Sequence, residues 1–173
     1  LKSITKQANK IKAKDISLLL SSSLPQGKDI FWMIENTAKT VESNAYIFTE
    51  TKNKTVKNPT LKKLVIYGND LTGSNLKKAK DSAKKGFAIG EGVNTAKYLG
   101  DLPANHATPK IIEKKVKAMT KDFPSLKIKS FNEKDLAKMG MGSYLSVSKG
   151  SDEPPRMMVI EYKGGKASEK PIA

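Results

Sequence analysis

The residue types that most often carry catalysis are scarce in this sequence of 173 residues. It contains one histidine, His106, and no cysteine, so it offers neither a thiolate metal ligand nor a disulfide. A lone histidine cannot supply the repeated histidine spacing of a zinc motif. Because His106 lies in a short stretch bounded by Pro103 and Pro109, we interpret it as a turn residue.

Serine and carboxylate chemistry is not indicated either. Ser143 follows Gly142, but the second glycine of a Gly-x-Ser-x-Gly nucleophile elbow is missing. General acid–base catalysis would need two suitably placed groups on one face. The acids of the second half show no such paired spacing: Glu113, Glu133, Asp135, Asp152, Glu153 and Glu161. The residues by themselves therefore predict no catalytic, metal-binding or substrate-binding residue.

A group of glycines, Gly86, Gly90 and Gly92, could be read as a phosphate cradle. Such a cradle needs glycines at the start of a helix, with a strand leading into it. Here the glycines lie in the middle of a predicted helix, and no strand leads directly into them. We therefore expect them to permit close packing against another helix.

The formal net charge is +15, from 32 basic and 17 acidic residues, which suggests nucleic acid as a partner. However, Arg156 is the only arginine, and arginine is the side chain best suited to bidentate contacts with guanine or phosphate. The lysines are scattered, and aromatic residues, at 6%, are too few for a stacking platform. DNA therefore stays an alternative partner.

Membrane association is not expected, because no apolar stretch approaches the roughly 20 residues of a membrane span. The absence of cysteine fits a reducing compartment. The chain begins at Leu1 and ends at Ala173, and we expect that both ends have been cut from a longer protein.

The elements of the first half predict an α/β domain. Residues 1–14 contain five lysines and no acid, and we expect an edge strand or a mobile terminus there. Strands are predicted at residues 15–20, 45–51 and 61–67, with a helix from Lys28 to Val41. A long helix follows, capped by Ser74, with an apolar face that runs from Leu76 to Leu99.

The second half carries clearer local signals. Thr108 followed by Pro109 is a strong helix start, and residues 126–131 alternate as a strand with one solvated face. Residues 132–135 resemble a capping box. Turns are expected at the glycines of residues 140–150, and residues 157–162 are predicted to form a strand covered on both faces.

Several blocks in order, between Gly86 and Ala173, resemble the leucine aminopeptidase (cytosol aminopeptidase) family. They are Asn94-Thr95-Ala96 with Leu99, Pro103-Ala104-Asn105 with Thr108-Pro109, Gly140 to Leu145, Gly150-Ser151, Pro154-Pro155-Arg156, Val159 to Tyr162, and Lys170 to Ala173. Residues 1–85 resemble the family only by their pattern of elements.

The resemblance implies an α/β fold in three parts: a small macro-domain-like domain at residues 1–75, a connecting helix at 76–102, and the opening of the catalytic domain at 103–173. It implies two divalent metal ions (zinc, manganese or magnesium) in the whole enzyme. It also implies a cytoplasmic homo-hexamer that acts on peptides. In the family, the metal ligands and the catalytic lysine and arginine come after the strand that begins at Pro171. The resemblance therefore assigns no catalytic, metal-binding or substrate-binding residue to this chain.

The implied function is the N-terminal portion of a two-metal leucyl aminopeptidase that releases N-terminal residues, preferably leucine. The chain by itself is expected to bind no metal and to be inactive. One alternative is a basic nucleic-acid-binding or assembly module without enzymatic activity. Another is binding of a ligand such as ADP-ribose at the loops of residues 21–27 and 68–73, although neither loop has the glycine cluster of a phosphate site.

Overall fold

The computed structural model describes residues 2–20, 24–52, 61–68, 71–166 and 168–170. The chain divides into two compact units between Asp101 and Leu102. The first unit contains α1 (Lys2–Lys10), β1 (Asp15–Leu19), α2 (Ile30–Ala45), β2 (Lys63–Tyr67) and α3 (Gly73–Asp101). The second contains α4 (Pro109–Asp122), β3 (Leu126–Phe131), α5 (Glu133–Lys138), α6 (Gly142–Ser148) and β4 (Met157–Tyr162). The predicted α/β class is confirmed, whereas the domain boundaries at residues 75 and 102 stay predictions.

The first unit is built on a pair of parallel strands. β1 pairs with β2 in a register that runs from Asp15 opposite Lys63 to Leu19 opposite Tyr67. α2 begins after Asp29, whose Oδ1 accepts a hydrogen bond of 2.7 Å from the backbone amide of Trp32. This is an ordinary N-cap, which satisfies an amide that the helix itself leaves unpaired.

α3 lies unusually close to α2 at two glycines. A Cβ atom added at Gly86 would lie 2.0 Å from the carbonyl oxygen of Glu35, and one at Gly90 would lie 2.6 Å from Cβ of Glu42. Both glycines are buried. The expectation of close helix packing is therefore confirmed, and these glycines lie inside a helix and not at the start of one.

Two expectations for the first unit are wrong. Residues 2–10 form a helix, because Thr5 and Ala8 are buried on one face at helical spacing, a pattern concealed by small side chains. Residues 46–50 form no strand. Instead, the hydroxyl of Tyr46 donates to Oδ2 of Asp101 at 3.0 Å, so α3 and not a neighbouring strand holds this segment.

The long helix also differs in its start and in its buried face. It begins at Gly73, so Ser74 lies inside it and does not cap it. Leu76 and Phe87, which were predicted to lie on the buried face, are exposed. The buried positions are Ala79 together with the two glycines, because only very small side chains fit against α2.

In the second unit most local predictions are confirmed. Oγ1 of Thr108 accepts from the amide of Ile111 at 3.4 Å, and Pro109 occupies the first turn of α4. Asn132 and Asp135 form a reciprocal capping box at the start of α5. β3 and β4 are antiparallel, with Ile128 opposite Ile160.

Two features of this unit differ from expectation. Residues 142–148 form the short helix α6, although the glycines of this segment predicted turns. A turn is present at Gly140, whose φ is 70°. β4 is a strand, as predicted, but it is not covered on both faces. Val159 is 49% exposed and Ile160 52% exposed, because among the described residues β3 is the only strand paired with β4.

Candidate functional site

The best-defined charged cluster of the second unit is centred on Glu113, in the second turn of α4. Oε2 of Glu113 accepts from Nε of Arg156 at 2.9 Å, and Oε1 accepts from Nζ of Lys117 at 2.5 Å. The side chains of Glu113 and Arg156 are only 15% and 21% exposed. The single arginine of the chain is therefore ion-paired and partly shielded from solvent.

The cluster holds Glu113 in its ionised form. Its pKa is lowered to about 2, chiefly by the hydrogen bond from Lys117, with a smaller contribution from the hydrogen bond of Arg156. Burial acts in the opposite direction but is outweighed. A carboxylate with so low a pKa is a poor proton acceptor near neutral pH, so Glu113 is not suited to act as a general base.

Arg156 joins three elements. Its Nη1 donates to the carbonyl of Pro155 at 2.8 Å, and its own carbonyl accepts from the hydroxyl of Tyr144 at 2.8 Å. Tyr144 belongs to α6 and Glu113 to α4, while Arg156 directly precedes β4. The cluster therefore fixes the entry of the chain into β4.

A groove of about 900 Å³ runs beside this cluster, lined by residues of α4 such as Lys110 and Lys114 and by Glu153 and Arg156. Its charges are of both signs, and no histidine lines it. The cluster of Glu113, Lys117 and Arg156 is suited to positioning the backbone.

The residues that the structure describes do not fit a two-metal site. Within them, no three histidine, cysteine, aspartate or glutamate side chains come close enough together to hold a metal ion. Several converging ligands are needed to bind a catalytic ion. We therefore derive no metal-dependent step from these residues.

The structure also shows where His106 and Ser143 lie. His106 is exposed and lies in a turn, with its amide donating to the carbonyl of Pro103 at 2.8 Å, as predicted. Ser143 is in α6, with no histidine among its described hydrogen-bond partners. Residues 21–23 and 69–70 of the two loops considered for ADP-ribose lie outside the described residues.

A second polar cluster, in the first unit, was not foreseen. Nδ2 of Asn94 donates to the carbonyl of Glu42 at 3.2 Å and to its Oε1 at 3.1 Å, and Nζ of Lys97 donates to the carbonyl of Ser43. These groups satisfy carbonyls of the last turn of α2, which the helix itself leaves free. The residue that could have pointed to this cluster in the sequence is Asn94, the first residue of the Asn94-Thr95-Ala96 block.

The sequence of the chain is similar to those of cytosol aminopeptidases. Residues 94–173 match the sequence model described as cytosol aminopeptidase family, catalytic domain. Among curated proteins, the chain is 35% identical to a probable cytosol aminopeptidase of Aromatoleum aromaticum, over 92% of this chain and 32% of the relative. It is 36% identical to that of Nitrosomonas europaea, over 93% of this chain and 32% of the relative.

Solved structures show the same fold. A mutant of tomato leucine aminopeptidase superposes with a TM-score of 0.81 at 20% identity, covering 98% of this chain and 33% of that one. The bottromycin maturation enzyme BotP in complex with Mn gives a TM-score of 0.72 at 17% identity, covering 94% of this chain and 32% of that one. The chain therefore has the same α/β fold as the corresponding third of these two structures.

Residues 94–173 match the catalytic-domain model of the cytosol aminopeptidase family, and almost the whole chain is similar to probable cytosol aminopeptidases, in agreement with the resemblance that the ordered sequence blocks indicated. The chain spans about a third of the length of the curated relatives that it matches. Among the described residues, no helix has both the length and the hydropathy required to cross a membrane.

Proposed function

We propose that this chain is the N-terminal portion of a two-metal leucyl aminopeptidase, which releases N-terminal residues from peptides and prefers leucine. The observation that carries the proposal is the match of residues 94–173 to the catalytic-domain sequence model of the cytosol aminopeptidase family. Identity of 35% over 92% of the chain with a probable cytosol aminopeptidase supports it.

In this proposal the chain contributes structure and not catalytic groups. Metal ligands and catalytic side chains would come from sequence that follows the Lys170–Ala173 block. The ion pair between Arg156 and Glu113 would fix β4, the last described strand, for the part of the catalytic domain that continues from it. The whole enzyme would bind zinc, manganese or magnesium; one solved structure of the same fold is described as a complex with Mn.

The assembly and location of the whole protein belong to the same proposal. It would act in the cytoplasm as a homo-hexamer on peptide substrates. The relatives named above are probable cytosol aminopeptidases, which is consistent with a cytoplasmic enzyme. The alternative of a basic nucleic-acid-binding or assembly module without enzymatic activity is not favoured, because the relatives found are aminopeptidases.

The test is turnover of a leucyl substrate in excess manganese. We expect no hydrolysis by the 173-residue chain, and metal-dependent hydrolysis when the chain is combined with the separately expressed remainder of a full-length relative. Loss of that activity on chelation would support a metal-dependent enzyme.

Two results would contradict the proposal. Metal-dependent turnover by this chain alone would mean that the catalytic residues lie within it. Failure of the combined parts to act on any aminoacyl substrate, while they form a complex, would argue against an aminopeptidase role.

A further inference from the structure

The surface of α1 and of the turn that follows it is strongly positive. Residues 1–14 contain five lysines and no acid. Four of these lysines have exposed side chains in the structure: Lys6, Lys10, Lys12 and Lys14. Lys6 and Lys10 are four positions apart, so they lie on the same side of α1.

The positive charge continues onto the start of β2. The backbone amides of Lys62 and Lys63 both donate to the carbonyl of Lys14, at 2.7 Å and 3.1 Å, and both side chains are exposed. The acid nearest to them is Asp15, which lies opposite Lys63 in the sheet. We call the six lysines of α1, the turn and the start of β2 the lysine patch.

The charge of the lysine patch is not neutralised from within the chain. None of its lysines forms an ion pair with another described residue. Residues 53–60, which lie outside the described residues, contain two lysines and no acid in the sequence. Six lysines beside a single acid select an anionic partner.

Two isoleucines are exposed beside these lysines. Ile4 and Ile11 are seven positions apart, so they lie on the same side of α1, and both line a shallow groove beside the helix. Ile11 lies between two lysines in sequence and is 73% exposed, which is unfavourable in water. Apolar side chains next to lysines suit the headgroup region of a lipid bilayer. A nucleic acid would be better served by arginine or aromatic side chains, and the lysine patch has neither.

The turn after α1 supports a binding role for Lys12. The amide of Ala13 donates to the carbonyl of Ala8 at 2.8 Å, and that of Lys12 to the carbonyl of Asn9 at 3.2 Å, so α1 ends in a Schellman motif. Lys12 has φ of 57°, in the left-handed region that favours glycine. A glycine would make the same hydrogen bonds with less strain. The charge of Lys12 is therefore present at a cost in stability.

We propose that α1 and the lysine patch bind the surface of an anionic lipid bilayer. The lysines contact the phosphate and carboxylate groups of the lipids, while Ile4 and Ile11 enter the headgroup region. Binding of this kind lies in the plane of the surface and requires no membrane-spanning helix. It does not depend on aminopeptidase activity.

The test is co-sedimentation of the 173-residue chain with lipid vesicles. One set of vesicles contains equal parts of phosphatidylcholine and phosphatidylserine, and the other contains phosphatidylcholine alone. We expect binding to the mixed vesicles only, and weaker binding as salt is added, because salt screens the attraction.

Two triple variants locate the binding surface. Replacing three lysines of the patch should weaken binding about a hundredfold, because each lysine near an anionic surface contributes about fivefold. The matched control makes the same change of net charge at three exposed lysines of the second unit and should have little effect. The patch variant carries Lys6→Gln, Lys10→Gln and Lys14→Gln, and the control carries Lys127→Gln, Lys129→Gln and Lys134→Gln.

Single variants test the isoleucine and the turn. Ile11→Ser should weaken binding about tenfold through the loss of apolar contact, whereas Val147→Ser, at a position 84% exposed on α6, should leave it unchanged. Lys12→Gly removes one charge and relieves the left-handed strain, so it should fold at least as well as the parent and bind about fivefold more weakly. It keeps the test decisive even if the triple variant of the patch does not fold.

Absence of binding to the mixed vesicles at low salt, or equal binding to the two sets of vesicles, would overturn the proposal. So would equal losses in the two triple variants. A short DNA duplex is the competing probe. Tighter binding of the duplex than of the mixed vesicles, with no effect of Ile11→Ser on either, would assign the lysine patch to nucleic acid and overturn the proposal as well.

Discussion

In the first unit α3 lies against α2 at two glycines, whereas in the second unit charged side chains join α4 to the start of β4. The first contact depends on the absence of side-chain atoms, since Gly86 meets the backbone of Glu35. The second depends on the presence of particular atoms, since Glu113 accepts from both Lys117 and Arg156. The two units should therefore fail for different reasons.

The glycine contact and the ion pairs should also respond differently to pH and salt. Close packing of helix backbones carries no charge and does not titrate, so it should be insensitive to pH and salt. Ion pairs are weakened by salt and lost when the carboxylate is protonated. The first unit is thus best disturbed by adding volume, and the second by removing charge.

Gly86→Ala should produce the largest effect. The new Cβ atom would lie 2.0 Å from the Glu35 carbonyl oxygen, and because that atom is backbone, the two helices must move apart. We expect a loss of about 3 kcal/mol of unfolding free energy, the upper end of the usual range for overpacking, measured by urea denaturation.

The control for this variant is Gly92→Ala, on the same helix. An added Cβ atom there would meet no atom within 4 Å. Replacing glycine by alanine inside a helix should then stabilise the protein by about 0.5–1 kcal/mol. Equal effects of the two variants would show that the glycine contact is unimportant.

Arg156→Met should be the next largest change. It keeps an apolar side chain of similar length but removes the hydrogen bonds to Glu113 and to the carbonyl of Pro155. We expect a loss of about 2 kcal/mol, as for hydrogen bonds to charged groups. Lys163→Met removes an exposed ion pair with Glu161 and should change stability by about 0.5 kcal/mol or less.

The pH dependence of stability offers a smaller, more specific test. The folded-state pKa of Glu113 is lowered from its usual value of 4.5 to about 2. Its contribution is therefore present in full above about pH 4.5 and is lost as the pH falls towards 2. Glu113→Gln should be less stable than the parent at pH 7, and the difference should shrink over that interval.

The measurement is denaturation of the parent and of Glu113→Gln at several pH values. A difference that stays constant from pH 7 to pH 2.5 would mean that the carboxylate is not ionised preferentially in the folded state. Glu133→Gln, which changes an exposed acid of α5, should show no comparable dependence.

Ile160→Ala should have only a small effect. Ile160 is 52% exposed in β4, so we expect a loss of about 1 kcal/mol or less, below the 2–5 kcal/mol typical of a buried isoleucine. A larger loss that grows with protein concentration would show that self-association covers this strand.

The sequence by itself predicted most helix ends and strands of the second unit, because those signals are local. Thr108 with Pro109 starts α4, and Asn132 with Asp135 starts α5, since each cap involves residues only three positions apart. The ordered blocks also predicted the family correctly, because they combine several short patterns in one order.

The tertiary structure decided which of the apolar side chains are buried and against which partners. The glycines of α3 predicted a close helix contact, but the apolar pattern also pointed to Phe87, which is exposed. Which helix meets Gly86 and Gly90, and how closely, depends on residues of α2 that are distant in sequence. Likewise the apolar composition of β4 predicted a strand but not its partners. Local propensity is set by near neighbours, whereas burial is set by whatever other part of the chain lies alongside, and for Ile160 that is only β3 among the described strands.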